Sequence, residues 1–220
     1  GLGHAGAYVS DVLILYASAT GGGYATAEIV NGGVISIAAS ASASGSAARA
    51  TAYASDVIDQ SAEADEGNAT ASLTNTGELS ITANGYATST RNYASVIAMV
   101  DNGIDQDADA TGEGVALVSV DNSGTLTIGA TATAHAETFA FAYASVNDGI
   151  SQTAEADQGG AFAQVTNSGP LDITAIANAS GNSAQAYASI EDGIFQDADA
   201  ESYGTASAQL INLADGVLTV

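Results

Sequence analysis

The chain has 220 residues, 46% of them hydrophobic, and a formal net charge of −23 at pH 7, because 25 acidic residues face only two arginines and no lysine. So few bases cannot neutralise phosphates, which excludes nucleic acid as a partner. No apolar segment reaches the ~18 uninterrupted residues of a membrane span, so no membrane insertion is expected.

From the first segments onward, residues alternate with a period of two, which predicts short β-strands rather than helices. In LTIGATATAHA, for example, Leu126, Ile128 and Ala130 share one face. Runs such as SIAASASASGS place alanine at i+2, whereas an amphipathic helix needs apolar residues at i+3 and i+4. The inward face of the predicted sheets therefore consists mostly of alanine.

Two kinds of corner recur along the chain, each about every 45 residues. One contains an asparagine in segments such as NTGELSI and NSGTLTI, at Asn31, Asn75, Asn122, Asn167 and Asn212. The other lies between these, at Asp11, Asp56, Asn102, Asp148 and Asp192. Interleaving the two sets gives one corner about every 22 residues.

Short strands, polar corners and a fixed period are typical of a β-solenoid. We predict an all-β fold in which residues 1–220 form one right-handed, flattened parallel β-solenoid with about ten rungs of ~22 residues, in a two-rung repeat of ~45. At ~4.8 Å per strand this rod would be roughly 45–50 Å long. A β-sandwich is the structural alternative, but its strands need not repeat in sequence.

The corner residues are predicted to form a structural ladder without a reactive role. Asparagine and aspartate side chains commonly bond the backbone of the turn that they occupy. On a rung of 22 residues the two sets alternate, so amide donors of one rung would meet carboxylate acceptors of the next.

Four glutamines lie in the inward phase, at Gln60, Gln106, Gln152 and Gln196, with Leu15 at the same place in the first repeat. If they recur on every second rung, they are roughly 9–10 Å apart and cannot bond each other. We therefore expect the backbone at the turn or a trapped water to satisfy each amide.

Acidic residues follow each glutamine in the outward phase: Glu63, Asp65, Asp107, Asp109, Glu155, Asp157, Asp197, Asp199 and Glu201. One interpretation is a solvated face that keeps the sheet soluble and blocks sideways aggregation. The other is a Ca²⁺ site between carboxylates. The calcium-binding nonapeptide of β-rolls is missing, so no cofactor is assigned and Ca²⁺ stays open.

One tyrosine per repeat lies in the outward phase, at Tyr8, Tyr53, Tyr93, Tyr143 and Tyr187. The stripe either covers sheet surface or contacts a neighbouring rod or ligand. Isolated His4 and His135, without cysteine, predict no metal site of their own.

Neither end of the sequence shows a capping element, and the first and last segments match complementary halves of one repeat. Uncapped solenoid ends expose strand edges that invite another chain. We expect the chain to associate with itself, either as a head-to-tail homopolymer through these terminal half-coils or as a piece of a longer array, with lateral contacts between rods.

The segments NGGVISI, NTGELSI and NSGTLTI, with alternating Ala, Ser and Thr around them, resemble the β-solenoid passenger repeats of bacterial surface proteins such as autotransporter adhesins and haemagglutinin-like exoproteins. The chain looks like an alanine-rich variant of these repeats. The resemblance implies an extracellular or cell-surface location and a role as a stalk, fibre or adhesin.

Two other classes fit less well. A carbohydrate-active β-helix enzyme needs catalytic carboxylates at one unique place, whereas the acids here repeat, so no catalytic residue is predicted. An ice-binding solenoid needs a regular threonine ladder, and only Thr125, Thr127, Thr131 and Thr133 form such a patch. The sequence therefore favours a structural protein that forms a rod or filament.

Overall fold

The computed structural model describes residues 1–202 and 204–220, which form eighteen strands and no helix. The strands pair in parallel and belong to three sheets. Equivalent strands of successive repeats lie side by side in each sheet. The predicted parallel β-solenoid is therefore confirmed as the fold class.

Two of the sheets contain one seven-residue strand from each coil. Sheet B consists of β2 (Leu13–Ala19), β5 (Ile58–Ala64), β8 (Ile104–Ala110), β12 (Ile150–Ala156) and β16 (Ile194–Ala200). Sheet C consists of β3 (Ala25–Asn31), β6 (Ala69–Asn75), β9 (Ala116–Asn122), β13 (Ala161–Asn167) and β17 (Ala206–Asn212).

Sheet A is longer and folds back on itself. Its strands are β1 (Leu2–Ser10), β4 (Val34–Ser55), β7 (Glu78–Asp101), β10 (Thr125–Ala136), β11 (Phe139–Val146), β14 (Pro170–Ser180), β15 (Ser183–Ile190) and β18 (Val217–Thr219). The outgoing leg, which follows sheet C, contains residues 34–45, 78–89, 125–136, 170–180 and 217–219. The return leg, which leads to sheet B, contains residues 2–10, 47–55, 93–101, 139–146 and 183–190.

One coil takes about 45 residues, twice the predicted length. Asn31 pairs with Asn75, not with Asp56, and Ile58 pairs with Ile104. Sheets B and C each contain five strands, so the stack has five coils, and the prediction of ten rungs of ~22 residues is wrong. At ~4.8 Å per strand the stack is about 20–25 Å high, not 45–50 Å.

The similarity of the two halves of a coil, which led to the wrong prediction of a ~22-residue rung, has a structural cause. Each coil is flattened, and each of its two sides contains a strand, a corner and a second strand. The asparagine corner joins sheet C to the outgoing leg, and the aspartate corner joins the return leg to sheet B. The two corners therefore lie on opposite sides of the same coil, and only their local sequences resemble each other.

The interior is thin where alanines line it. Sheets B and C pack through a cluster that contains only alanines and Val118. Larger buried side chains lie next to the two corners, among them Ile58, Leu73, Leu79 and Ile81. Small side chains let facing strands approach closely, as the predicted flattened section requires, and the aliphatic residues fill the wider space between the corners.

The two legs of sheet A also interlock through small residues. A Cβ atom on Gly85 would overlap Cγ1 of Val96, which faces it from the return leg. The neighbouring coils place alanine at both positions, because Gly85 pairs with Ala41 and Ala132 while Val96 pairs with Ala50 and Ala142. The third coil thus combines glycine and valine where its neighbours combine two alanines.

Replacing Gly85 by alanine is expected to lower the free energy of unfolding by ~1–3 kcal/mol, because the added methyl group overfills the space beside Val96. The double variant Gly85→Ala/Val96→Ala reproduces the neighbouring coils and should recover to within ~1 kcal/mol of wild type. Urea unfolding of both variants measures the difference. A double variant no more stable than Gly85→Ala would contradict this packing.

Candidate functional surfaces and side-chain ladders

The five asparagines of the first corner type form one continuous ladder. The Nδ2 amide of Asn31 donates to Oδ1 of Asn75 at 2.8 Å, and Asn75 donates to Asn122 at 2.7 Å. Asn122 continues to Asn167, and Asn167 to Asn212, both at 2.8 Å. Asn31 to Asn167 are all buried, so each coil is fixed to the next by a hydrogen bond inside the corner.

The first four amides of this ladder also hold the backbone of the next coil. Asn31 Nδ2 donates to the carbonyl of Glu78 at 2.9 Å, and Asn75 donates to the carbonyl of Thr125 at 3.0 Å. The predicted structural ladder is therefore present for the asparagines. The predicted alternation of asparagine and aspartate is wrong, because the two corner types never meet in adjacent strands.

The second corner type is a ladder of strained, half-exposed residues. Asp11, Asp56, Asn102 and Asp148 all have positive φ, between 25° and 51°. Short polar side chains tolerate this left-handed conformation better than other non-glycine residues do. Asn102 Nδ2 donates to Asp56 Oδ1 at 2.9 Å, so the one amide in this column separates charges that would otherwise stack.

Like charges do lie next to each other at the far end of this column. Asp148 precedes Asp192 in the stack, and their main chains are joined through the bond from Gly149 N to the Asp192 carbonyl. Loss of hydration, followed by the nearby Asp192 carboxylate, raises the pKa of Asp148. Two carboxylates are therefore adjacent here, where an amide donor beside a carboxylate acceptor was expected.

The four inward glutamines form a second buried ladder. Gln106 Nε2 donates to Gln60 Oε1 at 2.9 Å. Gln152 donates to Gln106 in the same way, and Gln196 donates to Gln152, each at 2.8 Å. The predicted separation of 9–10 Å is wrong, because the glutamines recur on every coil and not on every second rung.

The glutamines also tie sheet B to sheet C. Gln60 Nε2 donates to the carbonyls of Ala27 and Ser72 in the facing sheet, at 3.0 and 2.8 Å. Gln106 donates to the carbonyl of Ser119 at 2.9 Å. Backbone carbonyls are therefore partners of the glutamines, but the prediction that they belong to the turn is wrong, because they lie within strands of the facing sheet. Leu15, which pairs with Gln60, ends this ladder in the first coil.

A third ladder consists of glycines in the turn between sheets B and C, and the sequence analysis missed it. A Cβ atom on Gly67 would collide with the carbonyl of Gly23, and Gly114, Gly159 and Gly204 stand in the same relation to the glycine of the preceding coil. Main chains of successive coils thus touch at this turn. The signal in the sequence is a glycine that recurs with the period of the coil.

The outward surface of sheet B is an acidic face. Glu63, Asp109, Glu155 and Asp199 occupy one column, and each pairs directly with the next. Asp107 lies one column away between Ser61 and Thr153, and Asp197 follows Thr153. Asp65, Asp157 and Glu201 continue the face into the turn, beside Thr111. Carboxylates of neighbouring coils therefore lie one strand apart.

Crowding changes the ionisation of this face. Asp107 is exposed at its tip, yet loss of hydration against the sheet, followed by the charge of Glu155, raises its pKa to about 6. Loss of hydration and the carboxylates of Asp157 and Glu63 raise the pKa of Asp109. Loss of hydration likewise raises the pKa of Asp105, although a hydrogen bond with Ser151 opposes the shift.

A shallow depression of about 290 Å³ opens between Asp109, Thr111, Glu155, Asp157, Asp199 and Glu201. Among residues 1–202 and 204–220, no group of three or more His, Asp or Glu side chains is placed to hold a metal ion. Calcium binding by the acidic face stays a prediction of the sequence.

The tyrosines do not form a single stripe. Tyr8 pairs with Tyr53, and Tyr143 pairs with Tyr187, but these pairs lie in adjacent outward columns of the return leg. Tyr93 pairs with Phe139 in a third column. The predicted alignment is wrong because Tyr93 begins the return leg of its coil and pairs with Ala47, whereas Tyr53 lies six residues further along its strand and pairs with Met99.

Together these columns form a surface that we call the aromatic face, the outward side of residues 2–8, 47–53, 93–99, 139–145 and 183–189 of the return leg. Besides the five tyrosines it contains Ile97, Met99, Phe139 and Phe141. Tyr93 stacks on Phe139 with ring centroids 5.6 Å apart, and Phe141 contacts Tyr187 at 5.9 Å. The sequence predicted the tyrosines and missed the other four, because their partners in neighbouring coils cannot be read without the register.

The outward side of the outgoing leg is polar and uncharged over most of its area. Thr131 and Thr133 lie there beside Ser40, Ser42 and Asn84. Serine, asparagine and tyrosine replace threonine in the other coils, so the threonine patch does not extend into a ladder.

A comparison with protein-family models, curated proteins and solved structures finds no match. In the described part of the chain, no helix is long and apolar enough to cross a membrane.

Breaking the glutamine ladder in its middle should be costly. In Gln106→Leu, the enclosed Gln60 Oε1 atom and the Ser119 carbonyl both lose their donor, so the free energy of unfolding should fall by ~2–4 kcal/mol. Gln196→Leu is the matched control, and it should cost less because water reaches the last coil. Equal losses in urea unfolding would show that the central ladder contributes nothing beyond local packing.

The acidic face should make the protein less stable as pH rises. The pKa of Asp107 is about 6 in the folded chain against 3.8 ordinarily, so the folded state binds more protons and the free energy of unfolding falls as pH rises from about 4 through 6. Asp107→Asn should therefore stabilise at pH 7–8, by about 1 kcal/mol after solvent screening, and be neutral below pH ~4.

Asp121→Asn is the matched control for this variant, since Asp121 is an exposed carboxylate between Thr74 and Thr166 on sheet C. It should show no comparable gain. Melting temperatures of the three proteins between pH 3.5 and 8 make the test, and a gain for Asp107→Asn that does not change with pH would contradict it.

Proposed function

We propose that this chain is a structural, non-enzymatic unit of an extracellular rod, in which its end coils stack on further coils to make a filament. The observation that carries the proposal is the openness of both end coils. Ala62 and Ala108 are fully buried in the middle of sheet B, but Ala17 and Ala198, at the same position in the first and last coils, are only partly covered.

The end coils offer backbone groups as well as side chains. No strand, helix or loop among the described residues pairs with the outer edges of β2 and β3 or of β16 and β17. Unpaired edges of parallel sheets are templates for another chain with the same strand spacing. A further coil would continue all three sheets at once.

The asparagine ladder supports the same arrangement. Its amides donate from each coil to the next. At the last coil, Asn212 Nδ2 donates instead to the carbonyl of Gly216. At the first coil, Asn31 Oδ1 accepts from the backbone N–H of Gly33 and, among the described residues, from no side-chain amide. In a head-to-tail stack, Asn212 of one copy could donate to Asn31 of the next in the same direction.

A non-enzymatic role is supported by the distribution of reactive side chains. Carboxylates, amides and tyrosines recur coil by coil rather than meeting at one place with distinct environments. The resemblance of the asparagine-corner segments to adhesin passenger repeats supports the extracellular location. An adhesive stalk with a binding face is the alternative within the same class.

Electron microscopy tests stacking directly. Concentrated protein should form rods with a ~4.8 Å repeat along the axis. Leu15→Glu should shorten them, because it places a charge against the ladder in the open first coil, while the neighbouring outward variant Ile14→Glu adds the same charge and should leave rod length unchanged. Monodisperse single units at high concentration, or equal effects of both variants, would contradict the proposal.

A further inference from the structure

The aromatic face contains no acidic residue in a chain with 25 of them. Residues 2–8, 47–53, 93–99, 139–145 and 183–189 contain no Asp or Glu, and Arg49, one of the two arginines, lies among them. Sheet B, which continues the same side of the coil beyond the aspartate corner, carries most of the stacked carboxylates. Charge and apolar surface are thus segregated onto different sheets.

Large side chains on this face remain accessible to solvent. Tyr93 is 39% exposed and Tyr187 is 52% exposed, while Tyr53 and Tyr143 are half-buried by their neighbours. Contiguous exposed apolar patches of this kind mark contact surfaces in soluble proteins. The remaining question is which partner fits.

We propose that the aromatic face binds the aromatic face of a second copy of this chain, so that two solenoids pack side by side. Charge selects this partner: copies with a net charge of −23 repel each other, and repulsion is weakest where two acid-free faces meet. Spacing also fits this partner, because another stack of this kind repeats its side chains at the same ~4.8 Å interval.

The area of the face indicates how strong the contact is. Seven residues along each strand and five strands give a patch of about 20 by 25 Å, roughly 500 Å² per copy. Stable interfaces bury about 800 Å² per partner, so two isolated units form a weak pair. In a rod of stacked units, which rests on the function proposed above, the areas add and lateral pairing becomes strong.

The rim of the face makes this pairing sensitive to salt. Asp101, Glu137 and Glu191 lie at the ends of the strands, next to the aromatic columns. Their repulsion across the contact is long-ranged in dilute buffer and is screened at high ionic strength. Pairing should therefore be at least ten-fold stronger in 1 M NaCl than in 0.02 M NaCl.

The test compares two double variants, each of which introduces two glutamates. Ile97→Glu/Tyr143→Glu places carboxylates in the aromatic face, and Thr82→Glu/Thr131→Glu places them on the outward side of the outgoing leg. Sedimentation of the full chain in 1 M NaCl should show a concentration-dependent dimer for wild type and the control, and at least a ten-fold weaker dimer for Ile97→Glu/Tyr143→Glu. Circular dichroism checks that each variant is folded.

Rod dimensions separate this proposal from end-to-end stacking. In electron micrographs, the aromatic-face variant should give rods of normal length and half the width, whereas failure of stacking shortens rods and leaves width unchanged. Equal dimerisation of both charge variants, or no lateral pairs of wild type, would overturn the proposal. Retention on insoluble cellulose or chitin that depends on Tyr143, without self-association, would also overturn it and identify a polysaccharide as the occupant.

Discussion

The structure depends on one constraint: a carboxamide enclosed between two sheets must find its hydrogen-bond partners inside the protein. An unsatisfied buried amide costs about 1–3 kcal/mol. Gln106 meets this need with Gln60 in the same sheet and Ser119 in the facing sheet, and Asn75 does so with Asn122 and Thr125. A shift of one residue would turn each amide outward and bury its neighbour, so the ladders fix the register of every coil.

The small interior leaves function to the outside. Alanines let the facing strands approach so closely that a glutamine side chain reaches the opposite backbone. The outer surfaces differ instead: sheet B is acidic, the return leg is aromatic, and the outgoing leg is polar. Repulsion between the carboxylates of the acidic face opposes folding. Burial of apolar side chains in the interior, together with the hydrogen bonds of the ladders, outweighs this repulsion. A flat object with chemically distinct sides is suited to ordered assembly.

Local structure followed from the sequence, and the length of the coil did not. Alternation of alanine with polar residues predicted the strands, and recurring Asn31 and Asp56 types predicted the corners. Both halves of a coil contain the same strand, corner and strand, so local pattern alone cannot distinguish a coil of 22 residues from one of 45. The decisive signal was the glutamines, which recur once per 45 residues. Their buried amides can form hydrogen bonds with each other only if 45 residues make one coil.

The aromatic face shows a second limit of sequence reasoning. Tyr93 follows Tyr53 by fewer residues than Tyr143 follows Tyr93, which indicates that the third coil places its tyrosine differently. Tyr93 pairs with Phe139, and Met99 pairs with Tyr53, and neither pairing can be known without the register. Surfaces built from several coils can be assembled only after that register is known.

The most direct test of the central claim is a nuclear Overhauser measurement between side-chain amides in isotopically labelled protein. The ladders predict cross-peaks from the Gln106 amide protons to the Gln60 side chain and from the Asn75 amide protons to the Asn122 side chain. Cross-peaks between Asn31 and Asp56 with none between the glutamines would show a coil of 22 residues and contradict the account.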